Sequence, residues 1–133
     1  MRIYFDENFS QSVAYGMREF QQARRSEDVT VVWVPDEFGR GAADEEWIPQ
    51  IASKHGVVLT MDLNIHRIGA QWELCRRNKI GLFFFKPPKS GWGYWNIICE
   101  VVNRWEEIKN LTAVQKKPFG YMVEQRRKRM RPL

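Results

Sequence analysis

The chain has 133 residues, of which 44% are hydrophobic and 14% aromatic. This length and composition suit one domain with one core, and they exclude a chain that is disordered over most of its length. The net charge of +5 and the isoelectric point of about 9.4 are typical of a protein whose partner is a polyanion such as nucleic acid.

Cysteine usage and the N-terminus indicate a cellular compartment. Cys75 and Cys99 form no CxxC motif, so we expect reduced, buried thiols in a cytoplasmic protein. The chain begins with a strand-like segment and not with a signal peptide, and no apolar run reaches the length of a membrane span. We therefore expect no membrane partner.

Strand-like and helix-like segments alternate along the chain. The strand segments are β-branched or aromatic, and the helical segments repeat apolar residues at helical spacing. The predicted elements are a strand at 2–5, a helix at 10–22, a strand at 29–34, a loop, a helix that ends at 55 with Gly56 as its stop, a strand at 57–61, a helix at 65–78, a strand at 80–85, a helix at 92–109 and an edge strand at 119–124.

This alternation predicts the fold class. It favours a three-layer α/β/α sandwich with a mostly parallel central sheet of four to five strands. We predict a single domain over residues 1–124, followed by a basic C-terminal tail at 125–133.

Acidic residues come after three predicted strands. Asp6 follows the first, Asp62 follows the third, and Asp44 opens the helix between the second and the third. The carboxyl ends of parallel strands share one edge, where ligands of open α/β sheets bind. Carboxylates gathered there repel one another unless a cation lies between them. Mg²⁺ and Mn²⁺ prefer such oxygen ligands and activate water for phosphodiester cleavage, so we predict that chemistry.

Each aspartate also has an ordinary structural interpretation. Asp6 could equally cap a helix or stabilise a turn, and Asp62 could belong to a polar turn. For Asp44, an N-cap role alone is the favoured alternative, because Asp is a preferred residue directly before a helix. These alternatives stay open at this point.

Four polar residues are candidates for a supporting role. Asn8 could orient the first carboxylate, although a helix cap is favoured for it. Glu46 is a more plausible site member than its neighbour Glu45. Thr60 and Asn64 flank the third aspartate and would offer a hydroxyl and an amide.

The remaining motifs exclude several classes of site. His55 and His66 are isolated, so we expect no zinc site, and no P-loop or Rossmann glycine motif occurs. Trp92 could stack on a base, although packing is favoured.

The C-terminal tail is strongly basic. It could bind nucleic-acid phosphates, remain solvated, or dock onto an acidic protein, and the sequence does not separate these possibilities. The candidate nucleic-acid-binding residues are Arg126, Arg127, Lys128, Arg129 and Arg131.

Several of these segments together resemble the PIN-like domain family, in particular the compact branch of VapC-type toxins. The resemblance covers roughly residues 1–109. Its motifs are Phe5-Asp6-Glu7-Asn8-Phe9, Asp36-Glu37-Phe38 with Gly41, Asp44-Glu45-Glu46-Trp47-Ile48-Pro49, Leu59-Thr60-Met61-Asp62 and the aromatic strand Leu82-Phe83-Phe84-Phe85.

The resemblance implies a metal-dependent endoribonuclease that acts on RNA, often with a partner antitoxin and possibly as a homodimer. Asp6, Asp44 and Asp62 match the family's acidic positions and would hold Mg²⁺ or Mn²⁺ as catalytic residues. The chain departs from the family at Asn64, where related proteins often have another acid. That departure implies one metal instead of two, weak activity, or none.

Two other functions compete with a nuclease. One is a catalytically degenerate PIN-like module that binds nucleic acid or protein. The other is a receiver-like phosphoacceptor domain, suggested by the acids and by Lys86-Pro87. It is disfavoured because Lys86-Pro87 follows the strand directly after Asp62, where a receiver needs a further strand and helix.

Overall fold

Six strands form the centre of the molecule. The computed structural model describes residues 1–125 and 127–133. The strands are β1 (Arg2–Phe5), β2 (Thr30–Trp33), β3 (Gly56–Thr60), β4 (Gly81–Lys86), β5 (Phe119–Glu124) and β6 (Arg131–Pro132). The helices are α1 (Gln11–Gln22), α2 (Val34–Phe38), α3 (Asp44–Ile51), α4 (Ile65–Arg77) and α5 (Tyr94–Val114), with a 3₁₀ turn at Ala52–Lys54.

The strands make one sheet in the order β2-β1-β3-β4-β5-β6. β1 to β5 are parallel, and β6 pairs antiparallel with β5. β1 is an interior strand between β2 and β3, with Phe5 opposite both Trp33 and Leu59. The chain therefore leaves β1 and β3 side by side at the carboxyl edge of the sheet.

Helices cover both faces of the sheet. α1 and α5 pack on one face around Phe5, Phe83 and Phe85, and α2, α3 and α4 pack on the other around Tyr4 and Leu82. Alternate residues of β4 thus enter different cores, which explains its nearly continuous apolar sequence. The predicted α/β/α fold class is confirmed, with a two-residue sixth strand beyond the four to five expected.

The largest differences between the predicted and observed boundaries lie in three places. Residues 34–38 form α2 instead of ending a strand and opening a loop, because Pro35 is well tolerated in a first helical turn. His55, not Gly56, takes the left-handed conformation after the 3₁₀ turn (φ 53°). Gly56 opens β3, where a Cβ would lie 2.9 Å from the Tyr4 ring. α5 begins two residues later and ends five residues later than predicted.

The C-terminal segment folds back onto the sheet. β6 pairs with β5, so β5 is not the edge strand that we predicted. Arg104 on α5 donates to the Lys128 carbonyl (2.9 Å), and Arg131 forms an ion pair with Glu124. The domain boundary at residue 124 stays a prediction.

Two further findings concern the thiols and the helices. Both cysteines are free, but only Cys75 is buried, and Cys99 is exposed, contrary to the expectation. None of the helices within residues 1–125 and 127–133 has the length and apolarity needed to cross a membrane.

Gly81 provides a test of the packing between β4 and β5. A Cβ at this position would lie 2.3 Å from Cζ of the buried Phe119 ring. We expect Gly81→Ala to lower the free energy of unfolding by about 1–3 kcal/mol, measured by urea titration. Gly16 in α1 has open space around it, so Gly16→Ala is the control and should raise that free energy by about 0.5–1 kcal/mol. Equal effects of the two substitutions would contradict this packing.

Candidate functional site

Three aspartates from separate segments meet on one guanidinium group. Asp6 directly follows β1, Asp44 is the first residue of α3, and Asp62 lies just after β3. Nη2 of Arg67 donates to Asp6 Oδ2 (3.0 Å) and to Asp44 Oδ1 (3.3 Å), and Nη1 donates to Asp62 Oδ2 (2.7 Å). The structure thus brings the three predicted acids together, around an arginine side chain. We call these four residues the aspartate–arginine cluster.

Asp6 is the buried anchor of the cluster, with only 1% of its surface exposed. Its Oδ2 also accepts hydrogen bonds from Thr60 Oγ1 (2.9 Å) and Gln71 Nε2 (3.0 Å), and its Oδ1 accepts one from the Glu7 backbone (2.7 Å). A buried carboxylate is tolerated only when it is paired and hydrogen-bonded. These donors meet that requirement. The Thr60 hydroxyl, which we expected to support Asp62, donates to Asp6 instead.

Arg67 and Gln71 are the two members of the site that the sequence analysis missed. They lie four residues apart on α4, and both donate to Asp6. Gln71 is a fully buried polar residue within the apolar stripe of the helix, which is the signal that could have revealed it. Arg67 lies in the first turn of α4, where the helix dipole disfavours a cation, so it needs acidic partners from elsewhere.

Asn64 positions Arg67 by capping α4. Its Oδ1 accepts hydrogen bonds from the backbone of His66 (3.0 Å) and Arg67 (3.3 Å). Its own backbone N–H donates to Asp62 Oδ1 (2.9 Å). The predicted amide support for Asp62 therefore comes from the Asn64 backbone, and its side chain fixes the start of the helix that carries Arg67.

Asn8 connects the ends of β1 and β3. Its Oδ1 accepts from the Met61 backbone (3.2 Å), and its Nδ2 donates to Thr60 Oγ1 (3.3 Å). The favoured expectation that Asn8 caps a helix is wrong, because Ser10 caps α1. Asn8 instead orients Asp6 indirectly, through the Thr60 hydroxyl.

Asp44 does not have the capping role that was favoured for it. Ala43 is the N-cap of α3, without a side-chain hydrogen bond, and Asp44 is the first helical residue. The backbone N–H of Gly41 (φ 72°) donates to the Glu7 carboxylate (3.0 Å), which fixes the loop before α3. Glu46 is exposed on α3, and within the described residues its side chain makes no hydrogen bond to the cluster.

The carboxylates of the cluster differ in electrostatic environment. Burial raises the pKa of Asp44 above its ordinary value, and the Asp6 charge adds to this effect against the opposing Arg67 charge. Burial also acts to raise the pKa of Asp62, but hydrogen bonds from Arg67 and the Asn64 backbone outweigh it and lower that pKa. Burial opposes the charge of Arg67, yet the three acids raise its pKa further, so it stays charged. Three acids face one cation. Of Asp44 and Asp62, Asp44 is the acid whose negative charge is less well compensated, since its pKa is raised and that of Asp62 is lowered.

The oxygen donors of the cluster suit a hard divalent cation. Mg²⁺ and Mn²⁺ favour carboxylate and amide oxygens, and the buried Oε1 of Gln71, beside Asp6, accepts no hydrogen bond within the described residues. In the part of the chain that the structure describes, however, no three His, Cys, Asp or Glu side chains surround a common ion position. The Arg67 guanidinium lies between the acids. An ion would fit there only after Arg67, whose side chain is 34% exposed, turns toward solvent.

The basic residues of the C-terminal segment follow β5, whose carboxyl end lies at the same edge of the sheet. The exposed side chains of Arg127, Lys128, Arg129 and Arg131 line an open cavity of about 560 Å³. Arg126 lies outside the described residues. His55 and His66 are both exposed.

The comparison with protein families identifies the class of this domain. A family model described as a PIN like domain matches residues 1–87, which is more than half of the chain. The chain therefore belongs to the PIN-like domain family, whose fold is of the nuclease type. The matched range contains the whole aspartate–arginine cluster. Searches of curated proteins and of solved structures returned no match.

Sheet order does not separate this family from receiver domains. The order β2-β1-β3-β4-β5 is the one that receivers also use. The family match favours a PIN-like domain. The position of Lys86 agrees with this, because Lys86 is exposed and lines a cavity with Glu124, whereas Asp62 lines a different one.

The different environments of Asp6 and Asp44 lead to a stability prediction. We expect Asp6→Asn to lower the free energy of unfolding by about 3 kcal/mol, because it removes a buried charge that Arg67, Thr60 and Gln71 all depend on. Asp44→Asn should change it by less than about 1 kcal/mol, since burial already disfavours the Asp44 charge. Urea unfolding without divalent metal measures both, and equal losses would contradict this assignment.

Proposed function

We propose that this protein is a metal-dependent endoribonuclease that hydrolyses RNA phosphodiester bonds. Asp6, Asp44 and Asp62 would be its catalytic, metal-holding residues. The observation that carries the proposal is the convergence of these three acids between β1 and β3 of a PIN-like domain. This is the point where the strand order reverses, and open α/β sheets bind ligands there.

Each residue of the cluster contributes something different to this chemistry. Asp6 is held rigidly by Thr60 and Gln71, so it fixes the position of the site. Asp44 and Asp62 are more accessible and would complete the oxygen ligands of Mg²⁺ or Mn²⁺. When bound, such an ion supplies a Lewis acid and a water molecule of lowered pKa. The net charge of +5 and the exposed basic side chains of Arg127, Lys128, Arg129 and Arg131 would attract the RNA.

The second candidate is a catalytically degenerate PIN-like module that binds nucleic acid or protein. Two observations favour it. Arg67 already forms an ion pair with each of the three acids, and Asn64 stands at a position where the resemblance implies a further acid. In this alternative Arg67 replaces the metal permanently, and the basic segment alone retains a function.

The resemblance to VapC-type toxins supports a narrower proposal within the nuclease function. The protein would be the toxin of a type II toxin–antitoxin pair, inhibited by a small antitoxin and possibly dimeric. Coexpression with the product of a small neighbouring gene, followed by copurification and a cleavage assay, tests this point separately from nuclease activity.

Cleavage of RNA tests the nuclease proposal directly. The purified chain is incubated with structured and single-stranded RNA in Mg²⁺, in Mn²⁺ and in chelator. We expect metal-dependent cleavage that Asp62→Asn and Asp44→Asn each reduce at least about 100-fold, since both remove a charged ligand. Glu45→Gln is the matched control, because Glu45 is an exposed acid beside Asp44.

The outcomes of this assay separate the two functions. Cleavage that survives both aspartate substitutions reveals a contaminant and rejects the proposed site. Binding of RNA without cleavage in either metal supports the degenerate module.

Arg67 gives a prediction that does not depend on activity. Without metal, the Arg67→Ala variant should unfold at a lower temperature than wild type, because the carboxylates then repel one another. If metal must displace the Arg67 guanidinium, Mn²⁺ should raise the unfolding temperature of this variant more than that of wild type. Differential scanning calorimetry with and without Mn²⁺ measures both effects. Arg76→Ala is the control, since Arg76 is an exposed arginine of the same helix that pairs with Glu73, three residues earlier. An equal Mn²⁺ effect in all three proteins would show that Arg67 does not compete with metal.

A further inference from the structure

We propose that a pocket beside the aspartate–arginine cluster binds one nucleobase of the RNA, next to the phosphate that the aspartates would address. This inference rests on the proposed function and adds a substrate subsite to it. The pocket lies between the loop after β3 and the loop after β4. It has a volume of about 280 Å³, and its lining includes Asn8, Met61, Asp62, Leu63, Pro87 and Trp92.

The position of the pocket connects it to the cluster. Asp62 belongs to both, since it lines the pocket and contacts Arg67 at 2.7 Å. A group bound in the pocket would therefore lie directly against the acids. In a nucleic acid the ribose joins each base to the adjacent phosphates, so one nucleotide could place its base in the pocket and a phosphate at the acids.

The shape and lining of the pocket favour a flat, largely apolar group. Its volume lies just below the range usual for drug-sized ligands, which suits a single ring system. The side chains of Met61, Leu63, Pro87 and Trp92 supply the apolar wall. Leu63 is 75% exposed, so its side chain is accessible to a group bound in the pocket.

Trp92 is held in place before any ligand arrives. Its Nε1–H donates to the Phe85 carbonyl (3.2 Å), and Gly91 (φ 80°) makes the turn that brings the indole there. Its ring is only partly buried and packs against the core on the face covered by α1 and α5. An indole with a fixed orientation loses little entropy when a base stacks on it.

The polar groups of the pocket are already engaged by the protein. The amide of Asn8 is bonded to Met61 and Thr60, and the carboxylate of Asp62 is bonded to Arg67 and the Asn64 backbone. Few groups remain to read the edge of a base. The pocket would therefore bind by stacking and apolar contact, which every base can provide, and would tolerate many sequences.

Charge next to the pocket supports RNA as the occupant. Pro87 also lines a neighbouring cavity of about 440 Å³, together with the exposed Lys86 and Lys89. Beyond them, after β5, come the basic residues Arg127, Lys128, Arg129 and Arg131. Along the edge of the sheet the order is therefore acids, apolar pocket, lysines and basic segment. A single strand with one base in the pocket would place its following phosphates near cations.

Binding measured without cleavage tests this inference. The experiment uses the full chain carrying Asp44→Asn, in chelator, so that no RNA is consumed. Affinity is measured by fluorescence anisotropy for a short oligouridylate and for an abasic ribose-phosphate oligomer of the same length. We expect the oligouridylate to bind about tenfold more tightly, which is the usual contribution of one stacked base.

Two variants and a control test whether the preference for the oligouridylate comes from this pocket. Trp92→Ala should remove most of the tenfold difference, and Leu63→Ala should reduce it about threefold. Leu63 is exposed, so its substitution tests the pocket even if Trp92→Ala fails to fold. Val114→Ala is the control, because Val114 is equally exposed (78%) but ends α5 at the opposite edge of the sheet.

Equal binding of the two oligomers, or no effect of Leu63→Ala, would overturn the pocket proposal and leave the nuclease proposal intact. Failure to bind either oligomer would overturn it as well. A third outcome is a base preference that depends on the pocket, together with a wild-type protein that cleaves no RNA. This outcome would support the pocket proposal and reject the nuclease proposal.

Discussion

The contact between one guanidinium and three carboxylates is the interaction on which the rest of this site depends. Asp6 is buried at the end of β1, and its burial is tolerated because Arg67, Thr60 and Gln71 all donate to its carboxylate. Through Arg67, the same charge also connects α3 and the loop after β3 to α4. Four chain segments therefore meet at the Arg67 guanidinium.

The arrangement of the sheet explains why the point lies where it does. β1 has β2 on one side and β3 on the other, so the helices that follow β1 and β2 lie on opposite faces and leave a crevice at the carboxyl edge. The aspartates occupy that crevice. The apolar pocket and the basic residues follow it along the edge toward β5 and β6, an order that suits an extended polyanion entering from the β5 side.

Much of the fold could be predicted from local sequence. β1 and β5 begin and end where the sequence predicted, and the parallel order follows from alternating strands and helices. The errors arose where neighbours in space override local preference. Pro35 reads as a strand terminator but opens α2, and Gly56 reads as a helix stop but is required by the Tyr4 ring. Asn8 and Asp44 read as helix caps, yet their partners are the end of β3 and Arg67.

The sequence by itself determined that acids follow the strands and that they share one edge, because strand direction and alternation are encoded locally. It also carried the family motifs that the match over residues 1–87 supports. Only the tertiary structure decided which cation lies between the acids. Arg67 is 61 residues from Asp6 and 23 from Asp44, so their contact depends on how α3 and α4 pack on the sheet, which no local pattern specifies.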